Sequence, residues 1–295
     1  MASTTNPSTY EPITEHLDEV SQKTGLRTYD VFTNWLDFVV TALNRNDDTY
    51  LELVDDLTDR FHDDADLTRD VLESYGTALG ALVNAMEETT VPGYAHPVEL
   101  LGGIYEHYGA NSDAFGQHFT PQNIAIAKAQ MLFSTPESIR DATPDDPITI
   151  SDPACGSGRL PFHAVHQLRH VSPDTPAVVV ARDIDKMCAH MAVINFALHA
   201  IPAYVVHGNS LTYETWHIWR TNHPTRLLSD STVDGIVTEL DPDDAPISTS
   251  LDEADDGAQD DVDAERDRSD EDLEDRVTID DPEMIEDVTL DAFSE

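Results

Sequence analysis

Three short apolar segments alternate with two segments of helical pattern between residues 148 and 207, and no other feature constrains the fold as strongly. The middle segment, 177–181, is a continuous run of Ala and Val, which is typical of a buried parallel strand. The predicted strands are 148–150, 177–181 and 203–207, and the predicted helices are 160–170 and 186–199. This order predicts parallel βαβ units and hence an α/β fold, a three-layer sandwich with helices on both faces of the sheet.

The preceding part of the chain has helical periodicity. Apolar residues recur at helical spacing from Thr28 onwards, over 67–88, and again over 96–108, and Val91-Pro92-Gly93 separates the last two runs. After about residue 240 the periodicity ends and Asp, Glu and Ser dominate, as in disordered segments. The sequence therefore predicts four regions: a polar, frayed N-terminal segment at 1–26, a helical region at 27–110, an α/β domain at 111–240 and a disordered acidic tail at 241–295.

The chain is strongly acidic along its whole length. Its 295 residues contain 58 Asp and Glu against 16 Lys and Arg, a formal net charge of −42. Residues 241–295 carry 24 acids and 3 arginines, a net charge of −21, so the other half of the charge belongs to the body. This distribution favours adaptation to molar salt, which screens the repulsion among carboxylates; the alternative is a partner with a basic surface. In molar salt counterion release contributes little, so the charge neither supports nor excludes DNA as a partner.

Two cysteines, Cys155 and Cys188, form no C-x-x-C pair and no disulfide framework, which favours a reducing cytoplasm. The first ten residues contain no apolar signal-peptide core, and no apolar stretch is long enough to span a membrane.

The most specific motif is Asp152-Pro153-Ala154-Cys155-Gly156-Ser157-Gly158, which directly follows the first predicted strand. A glycine-rich turn between a strand and a helix allows a ligand to approach the backbone closely. Asp183 ends the next strand, where a carboxylate accepts hydrogen bonds from ribose hydroxyls. The turn lacks the third glycine of dinucleotide-binding sites and the lysine of a P-loop. A nucleoside without phosphates, and S-adenosylmethionine in particular, fits this pattern best.

Four segments in this order resemble the motifs of N6-adenine DNA methyltransferases. They are Gly116-Gln117-His118-Phe119-Thr120-Pro121, the glycine-rich turn, Asp183, and Gly208-Asn209-Ser210-Leu211. The nearest groups are the modification subunit of type I restriction systems and the shorter N-6 DNA methylases of plasmids and mobile elements. The resemblance covers about residues 96–220. It implies a Rossmann-like domain that binds S-adenosylmethionine and methylates N6 of adenine in DNA, as part of a restriction-modification-like or mobile-element system.

The resemblance also implies roles for individual residues. Asp183 would bind the ribose hydroxyls, and Asn209 stands where many relatives have an Asp facing the cofactor adenine. The remaining implied cofactor-binding residues belong to the methionine-binding segment and to the turn beneath it: Gln117, Phe119, Thr120, Pro121, Asp152, Gly156, Ser157 and Gly158.

One motif of the family is missing. Members that transfer methyl groups carry Asn/Asp-Pro-Pro-Tyr/Phe after the fourth strand, where it holds the exocyclic amine and stacks on the flipped base. Here a predicted strand at 233–237 is followed by Asp241-Pro242 and then by Asp243-Asp244, without an aromatic residue. The catalytic residue is therefore unknown, with Asp241 as a weak candidate.

This departure leaves a second reading open. The alternative is a catalytically impaired cofactor-binding subunit or regulator that needs a partner, such as a specificity or second subunit. A third reading, an acidic adaptor that mimics DNA, explains the tail but not the motifs.

Other chemically interesting residues have simpler interpretations. Cys155 is a small packing residue, since no histidine stands beside it in sequence. Trp216 and Trp219 either stack on a base or pack in the core. The histidines at 107, 163, 166, 190 and 199 are scattered over predicted helices, so we expect no metal site.

Overall fold

The computed structural model describes residues 9–89, 97–109, 119–136, 139–222, 236–245 and 247. The predicted tail at 241–295 lies outside the described residues, apart from 241–245 and 247.

A five-stranded mixed sheet forms the centre of the α/β region, with its strands in chain order. The strands are β1 (Ile148–Asp152), β2 (Ala177–Asp183), β3 (Ala203–Gly208), β4 (Thr215–Thr221) and β5 (Val237–Leu240). Strands β1, β2 and β3 are parallel, in agreement with the βαβ prediction. Strands β4 and β5 are antiparallel additions. The sequence pattern did not predict β4. The strand expected at 233–237 lies outside the described residues except for 236 and 237, and the described strand β5 is Val237–Leu240.

Eight helices are described. They are α1 (Glu11–Thr24), α2 (Thr28–Asn44), α3 (Asp47–Arg60), α4 (Ala65–Thr89), α5 (Leu101–Gly109), α6 (Gln122–Leu132), α7 (Arg159–Val171) and α8 (Lys186–Leu198). The helices expected from Thr28 and over 67–88 are confirmed as α2 and α4. The predictions for α7 and α8 hold to within one residue at each end.

The N-terminal segment is not frayed throughout, as its polar composition suggested. Helix α1 buries Ile13, Leu17 and Val20 completely, and the helix ends at Gly25, which adopts a φ of 71°. The expectation was wrong for residues 11–24 because one narrow apolar stripe is enough to bury a helix that is polar on its other faces.

Helix α3 was missed for a related reason. Among its residues only Leu57 is buried, so the apolar periodicity is weak. Its stabilising features are local: Asn46 accepts a hydrogen bond from the Thr49 N–H at 3.1 Å, Asp47 and Asp48 lie in the first turn, and Arg60 lies in the last.

Helices α7 and α8 connect the parallel strands and contact each other. Because β1, β2 and β3 follow one another in one direction, right-handed crossovers place both helices on the same face of the sheet. The strand β2 reflects this, since Val179 and Ala181 are completely buried whereas Val178 and Val180 are partly exposed. Both helices that connect the parallel strands thus lie on one face, and the expectation of helices on both faces of the sheet stays a prediction.

The helical region and the sheet share one hydrophobic cluster. Trp35 of α2 is fully buried and donates from Nε1 to the Tyr75 carbonyl of α4 at 3.1 Å. Asp37 of α2 pairs with Lys186 at 3.3 Å and with His190 at 2.9 Å, so α2 is also tied to α8. Because β1, β2 and β3 are parallel, the loops that follow them lie together at one edge of the sheet.

Candidate functional site

The glycine-rich turn connects β1 directly to α7. The Asp152 carboxylate accepts a hydrogen bond from the Ala154 N–H at 3.1 Å, and the Gly158 N–H donates to the Cys155 carbonyl at 2.8 Å. Gly156 and Gly158 have φ values of 54° and 79°, which L-residues rarely adopt. A Cβ on Gly158 would lie 2.6 Å from Cζ of Phe196, so glycine is required there for space as well as for conformation.

Asp183 lies at the end of β2 and reaches this turn. Its Oδ2 accepts a hydrogen bond from the Gly156 N–H at 2.8 Å, and its Oδ1 accepts one from the Asp185 N–H at 2.9 Å. Burial raises the pKa of this carboxyl, and the two N–H donors partly oppose that shift. A carboxylate oxygen has more than one acceptor position, so both oxygens retain capacity for further donors. The structure thus brings together the two features that carry the nucleoside prediction.

The segment Phe119–Pro121 lies against the same turn. A Cβ on Gly156 would lie 2.7 Å from the Phe119 ring, so this ring contacts the glycine directly. The Thr120 carbonyl accepts a hydrogen bond from Arg159 at 2.9 Å. Gln117, the other residue predicted in this segment, lies outside the described residues.

Asn209 directly follows β3, at the same edge of the sheet as the glycine-rich turn. Its Oδ1 accepts a hydrogen bond from the Leu211 N–H at 2.9 Å, which leaves the side-chain amide hydrogens available as donors. The neighbouring Ser210 hydroxyl donates to the Pro153 carbonyl, so the loop after β3 contacts the glycine-rich turn.

Two exposed aliphatic side chains accompany these polar groups and were not predicted. Ile184 directly follows Asp183 and is 60% exposed, and Leu211 lies two residues after Asn209 and is 87% exposed. Both are large apolar side chains at the ends of neighbouring parallel strands, which suits contact with the faces of a planar ring.

The profile of N-6 DNA methylases matches residues 97–253, slightly more than half of the chain. The chain belongs to the N-6 DNA methylase family. It matches no curated protein and no solved structure. The matched region includes the glycine-rich turn, Asp183 and the loop after β3.

The weak catalytic candidate, Asp241, does not lie at the glycine-rich turn. Asp241 follows β5 at the same edge of the sheet, because β5 runs antiparallel to β4 and β4 runs antiparallel to β3. Four strand spacings separate β5 from β1, or ~19 Å in an ordinary sheet. The Asp241 side chain is exposed and accepts a hydrogen bond from the Asp243 N–H at 3.0 Å. The described geometry therefore does not bring Asp241 to the glycine-rich turn.

The two tryptophans have different environments. Trp219 is only 3% exposed, and its ring lies 4.9 Å from that of His190, which is a core position. Trp216 is 44% exposed, with its ring 4.7 Å from that of His207. Of the two rings, Trp216 alone remains accessible to a base.

Cys155 and the histidines show no sign of nucleophilic or metal chemistry in the described part of the chain. Cys155 is buried, and burial raises its thiol pKa well above the usual range, which disfavours the reactive thiolate. Within the described ranges, no three His, Cys, Asp or Glu side chains converge as metal ligands would. Among the same residues, no helix is both long and apolar enough to cross a membrane.

Three buried polar residues next to the turn were missed from the sequence: Glu99, Arg159 and Asn195. A signal existed for two of them. Glu99 interrupts an apolar run before α5, and Arg159 directly follows the last glycine of the motif, where a charged side chain has little room to reach solvent.

Proposed function

We propose that this N-6 DNA methylase binds S-adenosylmethionine at the carboxyl ends of β1, β2 and β3 and serves the N6 methylation of adenine in DNA. The observation that carries the proposal is the 2.8 Å hydrogen bond between the Gly156 N–H and Asp183 Oδ2. It joins a glycine-rich turn to a buried carboxylate on the neighbouring strand, an arrangement that suits a nucleoside without phosphates.

The residues present fit this cofactor chemically. Asp183 offers carboxylate oxygens to the ribose hydroxyls, and the Asn209 amide offers N–H donors to the adenine edge. The remaining proposed contacts are those of the turn and the methionine-binding segment: Gln117, Phe119, Thr120, Pro121, Asp152, Gly156, Ser157 and Gly158. When bound, S-adenosylmethionine supplies a methyl group already activated on a positively charged sulfur. The chain then needs to orient this group rather than to provide strong acid–base catalysis.

A second candidate function is favoured by the position of Asp241, which lies four strands away from the turn. An adenine extruded from duplex DNA must be stacked on a ring and bonded at its amine to recover the cost of unstacking. At the glycine-rich turn the described ranges assign no residue to the bond with the amine. We therefore propose, as the alternative, a cofactor-binding subunit whose partner, a specificity or second subunit of a restriction-modification-like system, supplies the base-holding contacts.

Binding and turnover are best measured separately. Isothermal titration calorimetry in molar KCl with S-adenosylmethionine and with S-adenosylhomocysteine tests the cofactor assignment, and we expect saturable heat for both. The absence of heat at millimolar ligand would overturn it. Transfer of a radiolabelled methyl group to DNA, by the chain alone and with the products of neighbouring genes, tests turnover.

The two candidate functions differ in that second assay. The subunit function predicts cofactor binding without efficient transfer by the isolated chain and transfer after the partner is added. Robust transfer by the isolated chain, abolished by Asp241→Ala, would instead establish a self-sufficient enzyme and show that the loop after β5 rearranges to reach the base.

Salt adaptation is a separate proposal, supported by the net charge of −42. Below about 0.5 M salt the carboxylates repel over longer distances, and we expect the fold to loosen. The test compares circular dichroism and melting curves in molar KCl with those at ~50 mM KCl, where screening is weak. Identical curves under the two conditions would contradict the proposal.

A further inference from the structure

Arg159 and Glu99 form a buried ion pair beside the glycine-rich turn. Arg159 is the first residue of α7, directly after Gly158, and its Nε donates to Glu99 Oε2 at 2.8 Å. The side chains are only 4% and 0% exposed. Removing two charges from water is costly, and the gain in stability from such a pair is often small. The location of the pair therefore suggests a role other than stability.

The guanidinium group reaches three different partners. Besides Glu99, its Nη1 donates to the Thr120 carbonyl at 2.9 Å, and its Nη2 lies 3.5 Å from Glu106 Oε2. Its central carbon also lies 5.8 Å from the centre of the Phe119 ring. A planar guanidinium presents its donors in a rigid fork, so these directions are fixed relative to one another. With its donors directed to protein groups, Arg159 acts on the segment Phe119–Pro121 rather than on a ligand.

Glu99 connects this arginine to the rest of the site. Its Oε1 accepts hydrogen bonds from the Gly102 N–H at 2.7 Å and from Asn195 Nδ2 at 2.8 Å. Asn195 Nδ2 also donates to the Ser157 carbonyl at 2.8 Å. The carboxylate thus links α5, α8 and the turn in a single network.

Packing around the network is tight. A Cβ on Gly102 would lie 2.6 Å from Glu99 Oε2 and 2.7 Å from Arg159 Nη2. The Phe119 ring lies between the backbone of Gly156 and Tyr105, whose ring centre is 5.0 Å away. The Thr120 carbonyl is the point at which Arg159 holds this segment by a hydrogen bond.

We infer that Arg159, oriented by Glu99, is a positioning residue that fixes the segment Phe119–Pro121 against the glycine-rich turn and thereby sets the affinity for the cofactor. This inference rests on the proposed function, because it assigns that segment to the S-adenosylmethionine site. It predicts that the pair affects cofactor binding more than the stability of the fold.

The test compares two arginines of the same helix. Arg159→Lys keeps the charge beside Glu99 but cannot also reach the Thr120 carbonyl. Arg169→Lys is the matched control, since Arg169 donates to the carbonyls of His199 and Ala200 at the other end of α7. By calorimetry in molar KCl, we expect Arg159→Lys to raise the Kd for S-adenosylhomocysteine about ten-fold, the effect of one hydrogen bond to a charged group, and Arg169→Lys to leave it unchanged.

A second measurement, fluorine NMR, reports on the segment Phe119–Pro121 in the ligand-free protein. With para-fluorophenylalanine at position 119, we expect the fluorine resonance to shift or broaden in Arg159→Lys but not in Arg169→Lys. If Arg159→Lys does not fold, Glu99→Gln takes its place, because it removes the carboxylate charge and keeps the shape of the side chain. We expect this variant also to raise the Kd and to shift or broaden the fluorine resonance. Unchanged Kd and unchanged fluorine resonance in a folded variant would overturn the inference.

The two proposals fail in different ways. If the unmodified chain binds neither S-adenosylmethionine nor S-adenosylhomocysteine, the proposed function fails and with it the role of Arg159 in affinity. The fluorine comparison in the ligand-free protein still decides whether Arg159 fixes Phe119. An Arg169→Lys variant that weakens binding as much as Arg159→Lys would show a general effect of α7 and contradict a specific role.

Discussion

Two turns of this protein begin with the same dipeptide and end differently. Asp152-Pro153 stands at the end of β1, and Asp241-Pro242 follows β5, at the same edge of one sheet. In each turn the aspartate Oδ1 accepts a hydrogen bond from the N–H two residues later, at 3.1 Å in the first turn and at 3.0 Å in the second. Locally the two turns are nearly equivalent.

Their surroundings differ. The first turn continues through Gly156 to Gly158. The Phe119 ring packs against its backbone, and the Gly156 N–H donates a hydrogen bond to Asp183. In the second turn Asp241 and Asp243 are exposed, and a single 3-10 turn forms at Pro242–Asp244. An Asp-Pro turn is therefore not a site by itself. The first turn is joined to the Asp183 carboxylate of the neighbouring strand. The second turn contacts β4 but, among the described residues, is joined to no other strand by a side-chain hydrogen bond.

The largest effect should come from removing the conformational freedom of the first turn. Gly158→Ala forces a φ of 79° on an alanine and places its Cβ 2.6 Å from Cζ of Phe196. We expect a loss of about 2–4 kcal/mol in the free energy of unfolding, measured by chemical denaturation in molar KCl.

Gly25→Ala is the matched control for that variant. Gly25 has a φ of 71°, but a Cβ there meets nothing within 4 Å, so only backbone strain of about 1 kcal/mol is expected. Equal losses for the two variants would show that the contact with Phe196 contributes nothing.

The second-largest effect should come from removing Asp183, the carboxylate that bonds the first turn and not the second. Asp183→Ala removes the acceptor of the Gly156 N–H and the proposed acceptor of the ribose hydroxyls. We expect the affinity for S-adenosylmethionine to fall by about 1.5–3 kcal/mol, measured by calorimetry. Asp174→Ala, which removes an equal charge from an exposed position, should leave affinity unchanged, and an equal loss there would indicate a nonspecific charge effect.

The pH dependence of binding provides a milder test of the same carboxylate. Burial raises the pKa of Asp183 above its ordinary value, so protonation begins at higher pH than for an exposed aspartate. The protonated group loses acceptor capacity, and affinity should therefore fall as the pH falls towards that raised pKa.

Unfolding is a separate process in this experiment. A raised pKa means that the folded state binds this proton more tightly than the unfolded state, so protonation of Asp183 itself favours the fold as the pH falls. The Kd is measured between about pH 4 and about pH 8, a range that begins near the ordinary pKa of an aspartate. Circular dichroism at each pH shows whether the protein remains folded. Asp183→Asn should flatten this profile, and an unchanged acid limb in that variant would assign it to another group.

The smallest effects compare the two turns directly. Asp152→Ala and Asp241→Ala each remove one bond from a side chain to an N–H, and each should cost at most about 1 kcal/mol of stability. Only Asp152→Ala should also weaken cofactor binding, by several-fold. Weaker binding in Asp241→Ala would contradict the separation of the two turns.

Much of the parallel half of the fold could be predicted because its signals are local. The apolar run at 177–181 and the glycines of the turn define β2 and the start of α7 within short windows of sequence. Strand β4 was missed because His217 and Arg220 interrupt its apolar pattern. Their places are set by pairing with β3 and β5, which no local window contains.

The sequence by itself determined the acidic surface, the order of the parallel strands and the identity of the glycine-rich turn, because composition, periodicity and steric requirements act on neighbouring residues. Only the tertiary structure decided which buried polar groups bond to one another around that turn. Asp183 lies 27 residues from Gly156, Glu99 lies 60 from Arg159, and Asn195 lies 96 from Glu99. Such buried polar groups form specific bonds only when packing removes water and brings their partners within hydrogen-bonding distance, and this depends on the whole fold.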